Sequence, residues 1–395
     1  MRLPKPTTLA LLCGAILSTL SPLSAGPRFA NGDVTLQGTL QVTESSRVSP
    51  RSDSSSDTIY AFIPTLRYVR ESSRINLNAD LSLPMRRYES NDSLDSNSVN
   101  FNLSGNVPFG TGPRLSGSWQ LSYLQGIRAS YLTNRNLDST NFRASLSSNY
   151  RLRNKISLRS GATFSDRSSN GVSSTFVNEN ESTTYYIGLQ ANQIVGTIGA
   201  YVDYRIYNRK TTLGQINQNI DDSDDGINFG VTGQLLPERW FPKLDADLSF
   251  GFASTEGRGN NSTGGSSGRN NRLTLEGHLR YPATPKSNVA LTFRRSLAVT
   301  DDDRTVEQSR VNLSIDYTPR QKLSFATTVG IQSNDFIYDS TARNDDVLTA
   351  SISARYSIRS NWFTTLSYNF RDSASNVVLS DYNSSQLSLS TTLSY

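Results

Sequence analysis

The chain holds one histidine, and its setting decides whether catalysis is worth pursuing. Glu276, His278 and Arg280 fall on one side of an extended segment, with Leu275, Gly277 and Leu279 on the other. A histidine can activate a serine nucleophile, but that needs a serine in reach and a third group to orient the imidazole. Serines occur throughout the chain, so no particular set can be named. His278 therefore reads as a polar wall residue, the chain as a non-enzyme, and the list of catalytic residues as empty. Metal chemistry fares no better. The single cysteine, Cys13, lies near the N-terminus, so no Cys/His ligand set exists and no metal or cofactor is expected. Asp221-Asp222-Ser223-Asp224-Asp225-Gly226 begins like a calcium loop. Its twelfth position is Thr232 rather than a bidentate Glu, and no helices flank it. This run, Asp301-Asp302-Asp303 and Asn344-Asp345-Asp346 read as solvated acidic loop tips. Gly110-Thr111-Gly112-Pro113 and the Gly264–Gly268 stretch lack the Gly-Lys-Ser/Thr of a phosphate loop and read as turns.

The informative charges are spaced by twos. Arg67, Arg143, Arg159, Arg205, Arg272, Arg280, Arg294, Arg310 and Arg355 lie on the polar faces of alternating segments. They share those faces with Asp80, Asp203, Asp245, Asp247, Glu276, His278 and Asp316. In a dry interior such charges would be costly without partners. In a water-filled lumen they are natural, and rings of charge set ion selectivity. The excess of Arg points to a mild anion preference. Arg295 is a misfit: it falls on the apolar face beside Phe293 and Leu297, which calls for a register-shifting bulge or for snorkelling at an interface.

The segments that must position these residues are strands. Val34, Leu36, Gly38, Leu40 and Val42 alternate with Thr35, Gln37, Thr39, Gln41 and Thr43. The same period of two sets Leu244, Ala246, Leu248, Phe250 and Phe252 against Asp245, Asp247, Ser249 and Gly251. About 18 strands of this kind can be counted, with 16 as the alternative, each near the ~9–11 residues that a tilted barrel strand needs. Four connections are tight, at 71–74, 153–155, 320–322 and 359–361. Between them lie polar stretches at 44–57, 167–181, 208–225, 254–270 and 333–345, which read as long loops. Prolines fall mostly in turns (Pro237, Pro242, Pro282, Pro285, Pro319). Pro64 lies inside the second strand and must sit at a bulge or distort the ladder. Aromatics gather at both strand ends. Tyr68, Tyr150, Trp240, Tyr281, Tyr317, Tyr356, Trp362 and Tyr395 lie beside the short turns. Tyr60, Tyr123, Phe164, Tyr185, Tyr204, Phe252 and Phe370 lie toward the long connections. Two such belts are what two membrane interfaces select.

Composition fits this reading. Of 395 residues, 35% are hydrophobic, mean hydropathy is −0.45, and no stretch after the N-terminus could form a membrane helix. Residues 1–25 read as a cleaved signal peptide: Arg2 and Lys5, an apolar core from Leu9 to Leu20, and a cut after Ala25. Residues 26–395 are then one barrel, with no plug domain before the first strand. Cleavage removes Cys13, and with it any thiol chemistry, and lowers the net charge from +5 to +3. That charge is spread thinly despite a pI near 9.2, so nucleic acid is not an expected partner.

The final strand sets Leu387, Leu389, Thr391, Leu393 and Tyr395 against Gln386, Ser388, Ser390, Thr392 and Ser394. It resembles the terminal strand of outer-membrane β-barrel proteins, which implies that Leu387, Leu389, Leu393 and Tyr395 form the signal read by the barrel-assembly machinery. Thr391 is its one polar departure. With the signal peptide, the Ser/Asn-rich polar faces, the Pro64 strand and the Ser380-Asp381-Tyr382 lead-in, the chain resembles the outer-membrane β-barrel porins associated with exopolysaccharide export systems. The resemblance implies an all-β antiparallel meander barrel in the bacterial outer membrane. It also implies passive conduction of polar solutes or of a polysaccharide, and it names no catalytic residue. Tyr186, Tyr201 and Tyr207 on the polar face would suit a sugar. A non-conducting scaffold or adhesin acting through its loops is the alternative. Outer-membrane lipid is the expected environment in either case.

Overall fold

The computed structural model describes residues 28–49, 54–72, 75–109, 114–130, 135–172, 177–213, 218–235, 243–257, 268–299, 305–336, 343–377 and 381–395. The expected leader, Pro237, Trp240, Pro242, Asp301–Asp303 and the glycine turns at 110–113 and 264–267 lie outside these residues.

Eighteen strands form the wall. The first six are β1 (Gly32–Ser45), β2 (Asp57–Arg70), β3 (Asn76–Ser82, continued by Met85–Tyr88), β4 (Val99–Phe109, preceded by Ser96–Asn97), β5 (Leu115–Ser130) and β6 (Arg135–Arg153). Then come β7 (Ile156–Gly171), β8 (Val177–Val195), β9 (Ile198–Leu213), β10 (Gln218–Gly233), β11 (Asp245–Gly257) and β12 (Gly268–Thr284). The last are β13 (Ser287–Val299), β14 (Thr305–Arg320), β15 (Leu323–Phe336), β16 (Asn344–Arg359), β17 (Trp362–Ser375) and β18 (Tyr382–Ser394). Each pairs antiparallel with its chain neighbours, and β18 returns to β1 from Gln37↔Ser394 to Ser45↔Gln386. The Leu36 and Tyr395 backbones exchange N–H···O bonds of 2.9 and 2.8 Å at the seam. The wall is therefore a closed meander barrel. Among the described residues no helix is long and apolar enough to cross a membrane.

Alternation dictates the two faces. Most of the large apolar side chains left exposed fall on one side: Leu146 at 58%, Phe250 at 52%, Ile331 at 63% and Leu389 at 55% are examples. In water this surface would be unstable; in hydrocarbon it is the required exterior. Rings pack across strands there, with Phe229 and Phe250 stacked at 5.6 Å between centroids. The aromatic residues of both belts that lie within the described residues occupy this face in register. Thr391, the polar departure of the final strand, accepts a hydrogen bond from the Trp362 indole N–H at 2.8 Å. A Thr there satisfies a donor that would otherwise lie unpaired beside lipid.

Of the polar stretches read as long loops, 167–181 and 208–225 are largely ladder, and 254–270 and 333–345 begin and end in it. Asn208↔Ser223 is followed by Arg209↔Asp222 and Lys210↔Asp221, and the β9–β10 pairing runs on to Leu213↔Gln218. The β7–β8 ladder likewise reaches Asn170↔Val177, and that of β11–β12 reaches Gly257↔Gly268. The strands thus continue beyond the apolar band, where water can meet both faces and period-two hydrophobicity disappears. Pro282 and Pro319, expected in turns, sit inside β12 and β14 where the register slips, between Tyr281 and Thr284 and between Tyr317 and Arg320. Pro64 causes no slip in β2, which stays in register with β1 as Gly38↔Pro64. Its carbonyl accepts from Leu83 N at 3.0 Å, so its missing donor faces β3. Pro84, whose carbonyl accepts from Ser98 N at 2.8 Å, faces its own missing donor toward β4. The third strand breaks at Leu83–Pro84, where both donors are lost.

The β3–β4 connection carries a single helical turn, Asp92–Leu94. Asp57, at the head of β2, anchors it. The carboxylate accepts from Thr58 N at 2.8 Å, Ser90 N at 3.0 Å, Asn91 N at 2.9 Å and Asn91 Nδ2 at 2.7 Å. Asp57→Ala leaves those donors unsatisfied, a loss of about 1–3 kcal/mol for the connection. Limited proteolysis should then cut within residues 89–95 of the variant and not of the parent, while both remain folded barrels on unheated gels.

Candidate functional site: the inner wall of the barrel

The face opposite the apolar band is the concave one. Tyr201 on β9 donates across β10 to Asp247 Oδ1 on β11 at 3.0 Å. Thr274 on β12 donates across β11 to Asn228 on β10 at 3.1 Å. Side chains reach over an intervening strand only where a curved sheet makes them converge. The pairing registers put all sixteen charged candidates on this face. Twelve of them are exposed: Arg67, Arg143, Arg205, Asp245, Asp247, Glu276, His278, Arg280, Arg294, Arg310, Asp316 and Arg355. Asp80, Arg159 and Arg272 are half-buried, and Asp203 is buried.

These residues fall into patches rather than one ring. Arg67 and Asp80 pair at 3.5 Å between β2 and β3. Glu276, Arg294 and Arg310 stand in one cross-strand row, with the two arginines directly opposite each other. Like charges so placed repel in a sheet, and exposure to water is what makes them tolerable. Arg310 Nε is held by Asn312 at 3.1 Å. His278 lies opposite Asp247 and Thr292. Arg355 stacks on Phe363 at 3.5 Å.

A concavity of about 460 Å³ opens toward the short-turn end. Asn106, Ser118, Ser147, Asn149, Arg159 and Tyr186 line it from five strands. Beside it Asp203 lies flat over Gly188, where a β-carbon would come within 1.9 Å of its carboxylate. Tyr186 lies over Gly161 and Tyr201 over Gly230 in the same way. Glycine opposite a large residue lets the ring lie against the wall instead of projecting across the lumen.

Sequence reasoning missed a second feature, a knot at the long-connection end. Arg343 grips Asp345 through Nε at 2.9 Å and Nη2 at 2.6 Å, and stacks on Phe336 at 4.4 Å. Ser375 Oγ donates to Asp345 at 2.6 Å, and Arg371 Nε bonds the Tyr382 hydroxyl. Asp345 is therefore no solvated tip but half of a buried ion pair, with side chains 9% and 5% exposed. Asp221–Gly226 is likewise no loop: it is the middle of β10, opposite Arg205, Arg209 and Lys210. No metal-binding group of His, Cys, Asp and Glu is found among the described residues. Arg295 keeps the outer face without a bulge. It pairs with Glu307, and its rung, Leu275↔Arg295, is the last of the β12–β13 ladder. Arg272 reaches the same Glu307 at 3.3 Å.

A closed eighteen-strand meander with an apolar exterior and a charged, exposed interior defines an outer-membrane β-barrel. Residues 267–395 match the family model described as Putative beta-barrel porin 2. The bacterial outer membrane is accordingly its location. No curated protein sequence matches the chain. Among solved structures it is similar to CdiB from Acinetobacter baumannii, at 12% identity and a TM-score of 0.48, over 91% of this chain and 60% of that one. It is also similar to OpdK from Pseudomonas aeruginosa (10% identity, TM-score 0.45, 92% of this chain and 99% of that one). A BenF-like porin from Pseudomonas fluorescens gives 9% identity and a TM-score of 0.47, over 92% of this chain and 99% of that one.

The buried pair yields a stability test. Asp345→Ala takes the carboxylate from a buried guanidinium and should destabilise the barrel by about 3–5 kcal/mol. The double replacement Arg343→Met with Asp345→Leu should recover most of that loss. Urea unfolding in lipid vesicles, followed by tryptophan fluorescence, reads both.

Proposed function

We propose that the protein is a porin-like channel that conducts polar solutes passively through an aqueous lumen. One observation carries the reading: twelve of the sixteen charged inner-wall residues are exposed inside a closed barrel. Barrels of roughly 16–18 strands leave an aqueous channel unless something fills it. The sixteen charged side chains then act as an electrostatic filter, with nine arginines against six carboxylates favouring anions. The Arg294–Arg310 row is a concentrated positive patch, flanked by Glu276 in the same row. An extruded polysaccharide is the second class of cargo; Tyr186 and Tyr201, laid against the wall, support it. We further propose that residues 1–25 are a cleaved leader. The outward Leu387, Leu389, Leu393 and Tyr395 are the assembly signal in this reading.

The scaffold alternative draws on the β9–β10 hairpin, whose ladder continues past Asp225↔Ser254, the last rung shared with β11. Planar-bilayer recording of the refolded mature protein under a salt gradient separates the two. Stable open steps with an anion-selective reversal potential are expected. Arg294→Gln with Arg310→Gln should move that potential toward cation selectivity while leaving the steps in place. Cation preference in the parent protein would refute the charge assignment. Absence of steps from protein shown to be folded would refute the channel and favour the scaffold.

A further inference from the structure

We propose that the concavity beside Asp203 is a binding subsite for a carboxylated sugar, a hexuronate unit, within the lumen. The inference rests on the channel reading and narrows its cargo.

Two cross-strand rows build the site. Asn106, Ser118, Ser147, Gly161, Tyr186 and Arg205 follow one another from β4 to β9, each opposite the next. Two residues nearer the short turns run Asn149, Arg159, Gly188 and Asp203. The lined volume of about 460 Å³ falls in the range of small-ligand pockets. Its wall is dense in hydroxyl and amide groups, with Ser118 Oγ and Ser147 Oγ 2.5 Å apart. Such groups suit a ligand that carries several hydroxyls. A single aromatic ring, Tyr186, is pinned over Gly161 and offers its free face. Ring faces and sugar faces pack well, and a pinned ring loses little freedom on binding.

The charge arrangement supplies the acid specificity. Asp203 is 1% exposed, and neither carboxylate oxygen has a hydrogen-bond partner. The guanidinium nitrogens of Arg159 and Arg205 each stand 3.9 Å from its Oδ2. Two cations around one buried anion leave a net positive charge at the wall. Arg159 is also fixed from the side, with its Cζ 4.9 Å from the Tyr201 ring centroid. A guanidinium held in place by a carboxylate and a ring keeps a free edge of fixed orientation. That edge, facing the concavity, can take a ligand carboxylate through paired N–H···O bonds. Asp203 is thus a positioning residue, and Arg159 and Tyr186 touch the ligand.

The test is current block in single channels by sodium galacturonate, galactose and benzoate applied separately. Galacturonate should block in a saturable way, and galactose and benzoate only weakly. Arg159→Gln and Tyr186→Ala should each weaken the galacturonate block by about tenfold. Asp203→Asn should erode the preference for galacturonate over galactose, a ratio that a merely structural role would leave unchanged. Equal block by galactose would overturn the acid specificity, and equal block by benzoate would overturn the sugar. Open channels that galacturonate does not block would overturn the subsite and leave the channel intact. If no channel opens, calorimetric titration of the folded barrel in micelles with galacturonate decides the subsite alone: binding lost in Arg159→Gln supports it, and no binding ends it.

Discussion

Everything in this molecule depends on closing the sheet. In hydrocarbon an unpaired N–H or C=O costs several kcal/mol, so a strand edge cannot face lipid. The β1–β18 seam removes the last edge. It does so with nine register pairs and with the reciprocal bonds of Leu36 and Tyr395. Prolines test the rule. Pro64 and Pro84 each delete one donor, on neighbouring strands, and the third strand is interrupted there. The lost bonds are confined to one short break, and the carbonyls of both prolines still find donors.

Once the ring is closed, alternation has a single outcome. Each strand must turn its apolar residues to lipid and its polar ones to the lumen, and a one-residue slip would exchange them. The inner face then has a packing problem of its own, because side chains converge on the concave side. Glycine relieves it. Asp203, Tyr201, Tyr186, Asn228 and Asn312 each lie over a glycine on the adjoining strand, at Gly188, Gly230, Gly161, Gly251 and Gly330. The wall can therefore carry large polar groups without filling the bore. A β-carbon at Gly188 or Gly251 would come within about 2 Å of a neighbouring oxygen and push that side chain inward.

Much of the architecture is legible in the sequence because period two is a local signal. The strand count, the two faces and the aromatic belts follow from it. The polar threonine at position 391 looks like a flaw in the terminal strand. Its reason, the Trp362 indole, lies on another strand and is visible only in the fold. Strand ends are illegible for a related cause. Above the apolar band both faces meet water, so a ladder rung such as Arg209↔Asp222 has the composition of a loop. The acidic runs misled in the same way. Asp345 looks solvated until Arg343 and Ser375 are brought to it, and Asp221–Gly226 looks like a tip until β9 is laid alongside. The serines and asparagines of the concavity carry no signal singly, since such residues occur on nearly every inner face. Only their cross-strand order makes a site.

The inner charges show where stability and selectivity pull apart. A core would not hold Arg294 directly opposite Arg310, because like charges across a strand pair repel. It would not hold Asp203 without a hydrogen bond either. At the outer end of the barrel charge is handled the other way. Arg343 and Asp345 are buried, bidentate and stacked, and their field is spent on each other. The contrast separates two kinds of charge on one face. Pairs that satisfy themselves stiffen the rim, while charges left incompletely paired keep a field that an entering solute can feel. A lumen that only needed to be wet could be lined with Ser, Asn and Thr alone. Retaining repulsive and under-satisfied groups at mid-wall makes sense where a passing anion completes them.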